Sequence, residues 1–223
     1  MPRAPATYIP APLPYYNWTG FYIGGNFGGG LSHGSFSDAA GNTFSSANNF
    51  KFLGGGQVGA NYEFGNGVLI GAEAMFDWLP NNSNTVAVTL GPPFVGAPGA
   101  SLTFNNSWLT TVTGRLGYAW DRLLIYGKGG GAWVGVSNSN VTIGGVGVQT
   151  SASNFGWTAG LGLEYAFAGN WSARVEYDYV GLESQSFTVP GGVGRLPAAG
   201  DQFTGNNRNI NMVTLGINYK FGW

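Results

Sequence analysis

The feature that most constrains this chain is a strict alternation of bulky apolar residues with small ones. In the stretch SNFGWTAGLGLEYAF, residues 153–167, every second position holds Phe, Trp, Ala, Leu or Tyr, and the positions between hold Gly, Thr, Ala and Glu164. A period of two places alternate side chains on opposite faces of a β-strand. The stretch is therefore predicted to be a strand with one bulky apolar face and one small, polar face.

The same alternation recurs in eight segments, and the abundance of glycine within them disfavours helix. The predicted strands lie near residues 18–31, 50–64, 68–79, 107–120, 123–135, 153–167, 171–182 and 208–223. Short turns alternate along the chain with long connections, which indicates an up-and-down meander. The short turns are 65–67, 121–122 and 168–170, and the long connections are 32–49, 80–106, 136–152 and 183–207.

Two stretches inside the long connections, 84–90 and 140–150, keep the alternation. We expect them to form hairpins that continue some strands beyond the predicted barrel. The alternative is a barrel of ten strands, in which one of these hairpins takes part.

Charged residues are few, 9 % of the chain against about 25 % in an ordinary soluble domain, and they are not evenly distributed between the two strand faces. Eleven of them fall on the small, polar face: Lys51, Glu63, Glu73, Asp77, Arg115, Lys128, Glu164, Arg174, Glu176, Asp178 and Lys220. An eight-stranded barrel has room inside for only a modest filling of side chains, so the many bulky apolar residues do not fit there. We therefore predict an all-β fold, a transmembrane up-and-down antiparallel barrel of eight strands, with the apolar face outside and the charges inside.

Aromatic residues cluster near both ends of the apolar stripes, as Phe155 and Phe167 do. Twelve residue steps of about 3.3 Å along a strand tilted by about 45° cover roughly 28 Å, close to the hydrocarbon thickness of a bilayer. The pattern therefore predicts two aromatic belts at the two membrane surfaces.

The predicted turns also place charged residues side by side. If Phe167 pairs with Trp171, Glu164 lies opposite Arg174; a pairing of Trp120 with Leu123 places Arg115 beside Lys128. Two adjacent like charges require acids nearby, and Glu73 and Glu164 on the flanking strands are the candidates. A buried charge is tolerable only when it is paired. We therefore predict an ion-pair network that plugs the barrel interior, made of Glu73, Arg115, Lys128, Glu164, Arg174 and Glu176.

Composition excludes several classes of function. The net charge is −1, which gives no basic footprint for nucleic acid, and the absence of cysteine excludes disulfides and thiolate metal sites. Residues 1–14 carry five prolines and are predicted to be an extended tail on the periplasmic side, with the barrel spanning 15–223. No apolar leader is visible after Met1; for an exported protein this would mean that the chain is the mature form, or was recloned without its leader.

His33 is the one histidine and invites two sharper hypotheses. It could ligate haem, or act in a rim enzyme with Ser32, Ser35 or Asp38 nearby in sequence. No nucleophile elbow or spaced dyad accompanies them, so we interpret His33 as a polar loop residue and expect no enzyme activity, no cofactor and no metal site.

Three segments resemble one protein family. YNWTGFYIGGNFGGG (16–30), GRLGYAWDRLLIYGKGGGAW (114–133) and NMVTLGINYKFGW (211–223) are similar to the opening strand, central hairpin and last strand of small outer-membrane β-barrels of Gram-negative bacteria, the porin-family surface antigens with an OmpA-like transmembrane barrel. The resemblance covers residues 15–223. It implies a signal peptide that is removed and a location in the outer membrane, in contact with lipid and lipopolysaccharide.

The resemblance also implies insertion by the barrel-assembly machinery, which reads a terminal strand carrying Tyr219, Phe221 and Trp223. The expected role is that of a structural or surface protein with a plugged interior and long extracellular loops. The alternatives are loop-mediated binding of haem or of a host or surface ligand, and a narrow pore.

Overall fold

The computed structural model describes residues 15–37, 43–45, 49–79, 83–88, 100–143, 146–183, 185–189 and 201–221. These residues form antiparallel strands: β1 Gly20–Ser37, β2 Thr43–Ser45, β3 Asn49–Glu63, β4 Val68–Trp78, β5 Ser83–Val88, β6 Ala100–Trp120, β7 Leu123–Ile143, β8 Val146–Ala168, β9 Trp171–Leu182, β10 Gln185–Val189 and β11 Asp201–Phe221. Within the described ranges no helix is long and apolar enough to cross a membrane. The predicted tail 1–14 lies outside the described residues.

Eight long strands form one closed barrel. They follow each other around the wall in the order β1, β3, β4, β6, β7, β8, β9, β11, and β11 pairs back with β1. The short strands β2, β5 and β10 pair with the outer parts of β1, β6 and β11 respectively. The predicted eight-stranded antiparallel barrel is confirmed, and the ten-strand alternative is wrong.

The strands begin and end near the predicted residues at the end of the barrel that carries the short turns, here named the short-turn end. At the opposite end, named the far end, β1, β6, β7, β8 and β11 run several residues further than predicted, whereas β3, β4 and β9 end within one residue of the prediction. There β7 continues to Ile143, which pairs with Val146 at the start of β8, so the alternation at 140–150 does mark a strand extension. Polar residues on both faces weaken the alternation in these extensions, although the backbone ladder itself continues.

The short turns fix the register of the ladder. The turn at Asp121 and Arg122 pairs Trp120 with Leu123, and Arg115 then lies opposite Lys128. Glu164 lies opposite Arg174, as the predicted register required, but the expected pair of Phe167 with Trp171 is wrong. Trp171 pairs with Ala168 instead, because an irregularity between Ala166 and Ala168 inserts one residue next to the turn.

The predicted orientation of the two strand faces is confirmed. Trp157 and Leu161 on β8 are 55 % and 69 % exposed on the outer wall. Arg174 and Lys128 are 3 % and 6 % exposed and point into the barrel. The large apolar side chains thus cover the outside of the cylinder, where only an apolar environment stabilises so many of them.

Candidate functional site: the barrel interior

A layer of buried ion pairs lies in the middle of the barrel, and Glu73 on β4 lies at its centre. One Glu73 carboxylate oxygen lies 3.6 Å from Arg115 Nη1, and the other lies 3.6 Å from Lys128 Nζ. Arg174 on β9 also pairs with Glu73. These four side chains come from four strands, so the contacts cross-link the barrel wall through its interior.

Two further glutamates belong to the layer. Glu176 accepts from Lys128 Nζ at 3.1 Å and lies 3.0 Å from Arg174 Nη2. Glu164 lies 3.1 Å from Arg115 Nη2. Glu164 thus faces Arg174 in the ladder but pairs with Arg115, because long side chains reach over the one strand, β7, that separates β8 from β6. All six residues of the predicted network are therefore buried, and each forms an ion pair with at least one of the others.

Two tyrosine hydroxyls, which were not predicted to belong to this layer, add hydrogen bonds to it. Tyr22 Oη donates to Glu73 Oε2 at 2.8 Å, and Tyr126 Oη donates to Glu176. The Arg115 guanidinium carbon lies 3.7 Å from the centre of the Tyr126 ring, within cation–π distance. Tyr22 is next to Ile23 and Tyr126 is next to Ile125, and both isoleucines face outward. Because neighbouring residues of a strand face opposite sides, the alternation itself indicated that both tyrosines face inward.

Asp178 on β9 also belongs to this layer. Its Oδ2 lies 3.1 Å from Lys128 Nζ, so Lys128 contacts three carboxylates. A lysine ammonium group carries three N–H donors, so three acidic partners match its full donor capacity.

Buried apolar side chains line the barrel interior on both sides of the ionic layer. The near apolar layer, at the short-turn end, consists of Trp18, Leu69, Ala119, Leu124, Tyr126 and Ala166. The far apolar layer consists of Leu53, Met75, Leu79, Leu109, Ala132, Val134, Val180, Leu182, Ile210 and Met212. Along β7, the order from near layer to ions to far layer can be read directly as Leu124, Lys128 and Val134. Neither apolar layer was predicted from the sequence, because these strands carry apolar residues on both faces and the larger outward-facing residues dominate the alternation.

The segment Tyr15–Thr19, named here the N-terminal strap, crosses the short-turn end of the barrel. Trp18 is buried, and its indole Nε1 donates to the Asp121 carbonyl at 2.8 Å. The backbone N–H of Tyr16 donates to Asp121 Oδ1 at 2.8 Å, and that of Trp18 donates to Glu63 Oε2 at 2.8 Å. Asp121 has a φ of 51°, in the left-handed region that few residues other than glycine adopt, so this turn residue is held in place by the strap that it binds.

Tyr16 shows the electrostatic character of the strap. Its ring packs edge-on against Trp18 at 4.9 Å, and the Lys220 ammonium lies 4.5 Å from the ring centre. Partial burial, reinforced by the negative charge of Glu164, raises the pKa of Tyr16 from 10.0 to about 12. The folded strap therefore favours the neutral phenol.

Aromatic pairs occur on the outer wall near both ends. At the short-turn end Tyr118 and Trp120 lie 4.7 Å apart, and towards the far end the rings of Phe50 and Phe52 lie 5.1 Å apart. Trp171 contacts Tyr219 on the adjacent strand at 5.0 Å. This arrangement matches the two belts predicted from the sequence.

The remaining predicted residues are placed as follows. Tyr219 and Phe221 lie on β11 and pair with Ile23 and Phe21 of β1. Trp223 and Asp38 lie outside the described residues. His33 pairs with Asn209 in the β1–β11 ladder, but its side chain is outside the described part. Among the described residues, no three His, Cys, Asp or Glu side chains gather as metal ligands.

Comparison with known proteins agrees with this architecture. The family model of the outer membrane protein beta-barrel domain matches residues 5–221. The 31 kDa outer-membrane immunogenic protein of Brucella melitensis is 34 % identical over 233 aligned residues, covering 99 % of this chain and 89 % of that protein. The 22 kDa outer membrane protein of Rhizobium leguminosarum bv. viciae is 28 % identical over 209 residues, covering 93 % and 80 % respectively.

Among solved structures, the outer membrane protein OprG of Pseudomonas aeruginosa has the same fold. Its TM-score is 0.56 at 11 % sequence identity, and the match covers 93 % of this chain and 99 % of OprG. The closed barrel, with its apolar exterior and buried ionic layer, thus agrees with the family match, which covers nearly the whole chain. The chain belongs to the outer-membrane β-barrel family, and its location is the outer membrane.

Proposed function

We propose that this outer-membrane surface protein is a closed barrel and neither a pore nor an enzyme. The observation that carries the proposal is the stacking of three interior layers, apolar, ionic and apolar, beneath the N-terminal strap. Each apolar layer excludes water from the ionic layer. A hydrophobic constriction is itself a barrier to ions, because dewetting removes their hydration shells.

The ionic layer closes the middle of the barrel in a different way. Glu73, Arg115 and Arg174 have side chains at most 1 % exposed, so they leave little free space at their level. An ion passing this level would have to break several buried pairs, each of which costs several kcal/mol to disrupt. The layer therefore acts as a plug and also stabilises the barrel.

The second part of the proposal concerns the far end of the barrel. A tilted strand needs about 9–11 residues to cross the hydrocarbon, whereas β8 has 23 and β6 has 21. The additional strand residues lie at the far end, beyond the aromatic pairs near that end of the barrel. We propose that these extensions present the long connections at the cell surface. The word "immunogenic" in the names of the Brucella relatives agrees with such exposure.

Single-channel recording in planar bilayers tests the closed interior. The natural chain is expected to give no steady conductance. A triple variant, Trp18→Ala with Leu109→Ser and Met212→Ser, opens both apolar layers and is expected to give frequent conducting events. The outward-facing Leu161→Ala serves as the matched control and is expected to stay silent. A steady ohmic conductance of the natural chain would contradict the proposal.

Cysteine labelling tests the surface exposure, since the chain has no natural cysteine. Gly147→Cys lies at the far end and Asn170→Cys lies in a short turn. A membrane-impermeant maleimide added to intact cells is expected to label Gly147→Cys and to spare Asn170→Cys until the cells are broken. The reverse pattern would place the far end in the periplasm.

A further inference from the structure

Two outward-facing asparagines interrupt the apolar outer wall on β11. Asn209 and Asn211 are partly exposed on the face of β11 that also carries Val213, while Ile210 between them is buried inside the barrel. Among the outward-facing side chains that the structure describes on the eight long strands, the one other that is neither apolar nor aromatic is Thr110 on β6. The interruption is therefore local to the far part of one strand.

The two asparagines lie at the level of the aromatic pairs near the far end. In the ladder Asn211 lies opposite Tyr179, whose ring lies 5.2 Å from that of Trp157. From Phe221 at the short-turn end, Asn211 is ten residue steps away, or roughly 23 Å at about 3.3 Å per step and a tilt of about 45°. The apolar band of an outer-membrane barrel is about 25 Å tall. Asn211 therefore lies at the boundary between the hydrocarbon and the lipid headgroups.

Tyr177 on β9 meets part of the hydrogen-bonding capacity of these asparagines. Its hydroxyl donates to Asn211 Oδ1 at 2.7 Å, and a side-chain amide has two N–H donors and two lone pairs in all. Asn209 Oδ1 is shielded and has no hydrogen-bond partner within the described residues. Its ladder neighbours are Gly181, which has no side chain, and His33, whose side chain lies outside the described part. Asn209, Asn211 and Tyr177, named here the asparagine patch, therefore present both donors and acceptors to whatever covers this part of the wall.

A fixed aromatic ring borders the asparagine patch. The Trp157 indole lies over Gly181, since a Cβ atom built on Gly181 would lie 2.8 Å from the indole Nε1. Gly181 is the ladder neighbour of Asn209, so the indole covers the strand next to this asparagine. Tryptophan is typical of the membrane surface, where one part of its ring meets acyl chains and its N–H meets polar groups. The patch therefore combines amide groups with a flat apolar surface at one depth in the membrane.

Lipid, water and a second copy of this chain are the three candidates for covering the asparagine patch. A stable contact between two copies buries more than about 1,000 Å², so it would extend along the wall towards the short-turn end. There the outward face of β11 carries Val213, Leu215 and Ile217, as apolar as the rest of the wall. Polar groups confined to a single depth instead match a lipid, because the polar groups of a lipid also occupy a single depth.

The hydrogen-bonding chemistry of the patch distinguishes the lipids of the two leaflets. At the junction of headgroup and acyl chains, a phospholipid offers ester carbonyl groups, which only accept hydrogen bonds. At the same junction lipid A, the membrane anchor of lipopolysaccharide, carries amide N–H groups and acyl-chain hydroxyls, which donate as well. Lipid A therefore offers partners both for the amide N–H groups of the patch and for the shielded Asn209 oxygen.

We propose that the asparagine patch binds one lipid A molecule of the outer leaflet, at the junction between its sugar and its hydroxylated acyl chains. A general contact with lipopolysaccharide, expected from the family, is thereby placed at three side chains of β9 and β11. The proposal rests on the proposed exposure of the far end at the cell surface, because lipid A lies in the outer leaflet. Cysteine labelling of intact cells decides that exposure separately from the lipid measurement below.

Native mass spectrometry of the full chain, refolded in detergent micelles, tests the site with two probes. One probe is lipid A, and the other is cardiolipin, which also has two phosphates and several acyl chains but no amide linkages or acyl-chain hydroxyls. The natural chain is compared with the double variant Asn209→Leu, Asn211→Leu. Thr110→Val is the matched control, because it removes the outward-facing hydroxyl of β6, on the opposite side of the barrel. Micelles expose both ends of the barrel, so the result does not depend on which end faces the cell surface.

The natural chain and Thr110→Val are expected to retain one lipid A molecule in preference to cardiolipin. The double variant is expected to retain lipid A roughly tenfold more weakly, because it loses at least two hydrogen bonds to the lipid. Each single substitution is expected to give a smaller loss in the same direction, and it replaces the double variant if that variant does not refold.

Three results would overturn the proposal. Equal retention of lipid A and cardiolipin by the natural chain would mean that water serves the asparagine patch. Retention of lipid A by the asparagine variants as strong as that of the natural chain would place the lipid elsewhere on the wall. A dimer of the natural chain that the asparagine substitutions abolish would show that a second copy covers the patch.

Discussion

Glu73→Gln is the substitution for which the structure predicts the largest single effect. The glutamine keeps the shape of the side chain and can still accept from the Tyr22 hydroxyl, which donates to Glu73 at 2.8 Å. It removes one negative charge from the contact of three basic groups, two of which lie at 3.6 Å. What the substitution removes is therefore almost purely electrostatic.

The magnitude follows from the distances. At 3.6 Å and an effective dielectric constant of about 20, each pair attracts by roughly 4–5 kcal/mol before desolvation is counted. Desolvation offsets much of that attraction, and removing one partner of a buried pair typically costs about 3–5 kcal/mol. We expect the free energy of unfolding to fall by about this amount, a large share of the roughly 5–15 kcal/mol of a typical domain.

Urea unfolding in lipid vesicles, followed by tryptophan fluorescence and by heat-modifiable gel mobility, measures the loss. With a slope of about 1–3 kcal/mol per molar urea, the midpoint is expected to fall by roughly 1–5 M. The effect is expected to persist in high salt, which screens surface pairs but not buried ones. Glu183→Gln, at an exposed carboxylate, is the control and is expected to change little. A loss below about 1 kcal/mol for Glu73→Gln would refute the reasoning.

Three further predictions concern the apolar layers, the wall and the strap. Leu109→Ala leaves a cavity in the far apolar layer and is expected to reduce the free energy of unfolding by about 2–5 kcal/mol, measured in the same urea assay. Gly130→Ala places a Cβ 2.0 Å from the Val112 carbonyl oxygen and is expected to lower the free energy of unfolding by about 1–3 kcal/mol. Gly114→Ala, whose Cβ meets nothing nearer than 4.0 Å, is expected to leave it nearly unchanged. Equal effects of the two substitutions would contradict the packing argument. Because the pKa of Tyr16 is raised from 10.0 to about 12, its contribution to strap docking is complete below pH 10 and is lost as the pH rises through about 12. Tyrosinate absorbance and Trp18 fluorescence should therefore change together between pH 10 and about pH 12. Tyr16→Phe should lack this joint change.

The sequence predicts the fold well because one physical rule, the period of two, acts along the whole barrel. A two-residue turn at Asp121 and Arg122 is enough to set Arg115 beside Lys128, and the face of every charged strand residue then follows. The pairing next to the other predicted turn was wrong by one residue, at Phe167, because a local irregularity leaves no mark on the alternation.

The contents of the interior were less predictable, for a geometric reason. The strand order places Glu164 close enough to pair with Arg115, as expected, but the ladder neighbour of Glu164 is Arg174, which pairs instead with Glu73 and Glu176. Tyr22 and Tyr126 bring aromatic rings into the ionic layer, a placement that the large outward-facing residues beside them obscure. The strap was also missed, since its contacts to Asp121 join residues more than a hundred positions apart.

The central claim is that the bulky apolar side chains face lipid and the polar ones face a closed interior. Spin labels on single cysteines of a chain without natural cysteine test it directly. Leu161→Cys, at a side chain 69 % exposed on the outer wall, is expected to be accessible to oxygen dissolved in the bilayer, and Thr158→Cys, at one 2 % exposed inside, is expected to be shielded from both oxygen and a water-soluble relaxant. Accessibility of the Thr158→Cys label to lipid-dissolved oxygen, with shielding of the Leu161→Cys label, would contradict the account.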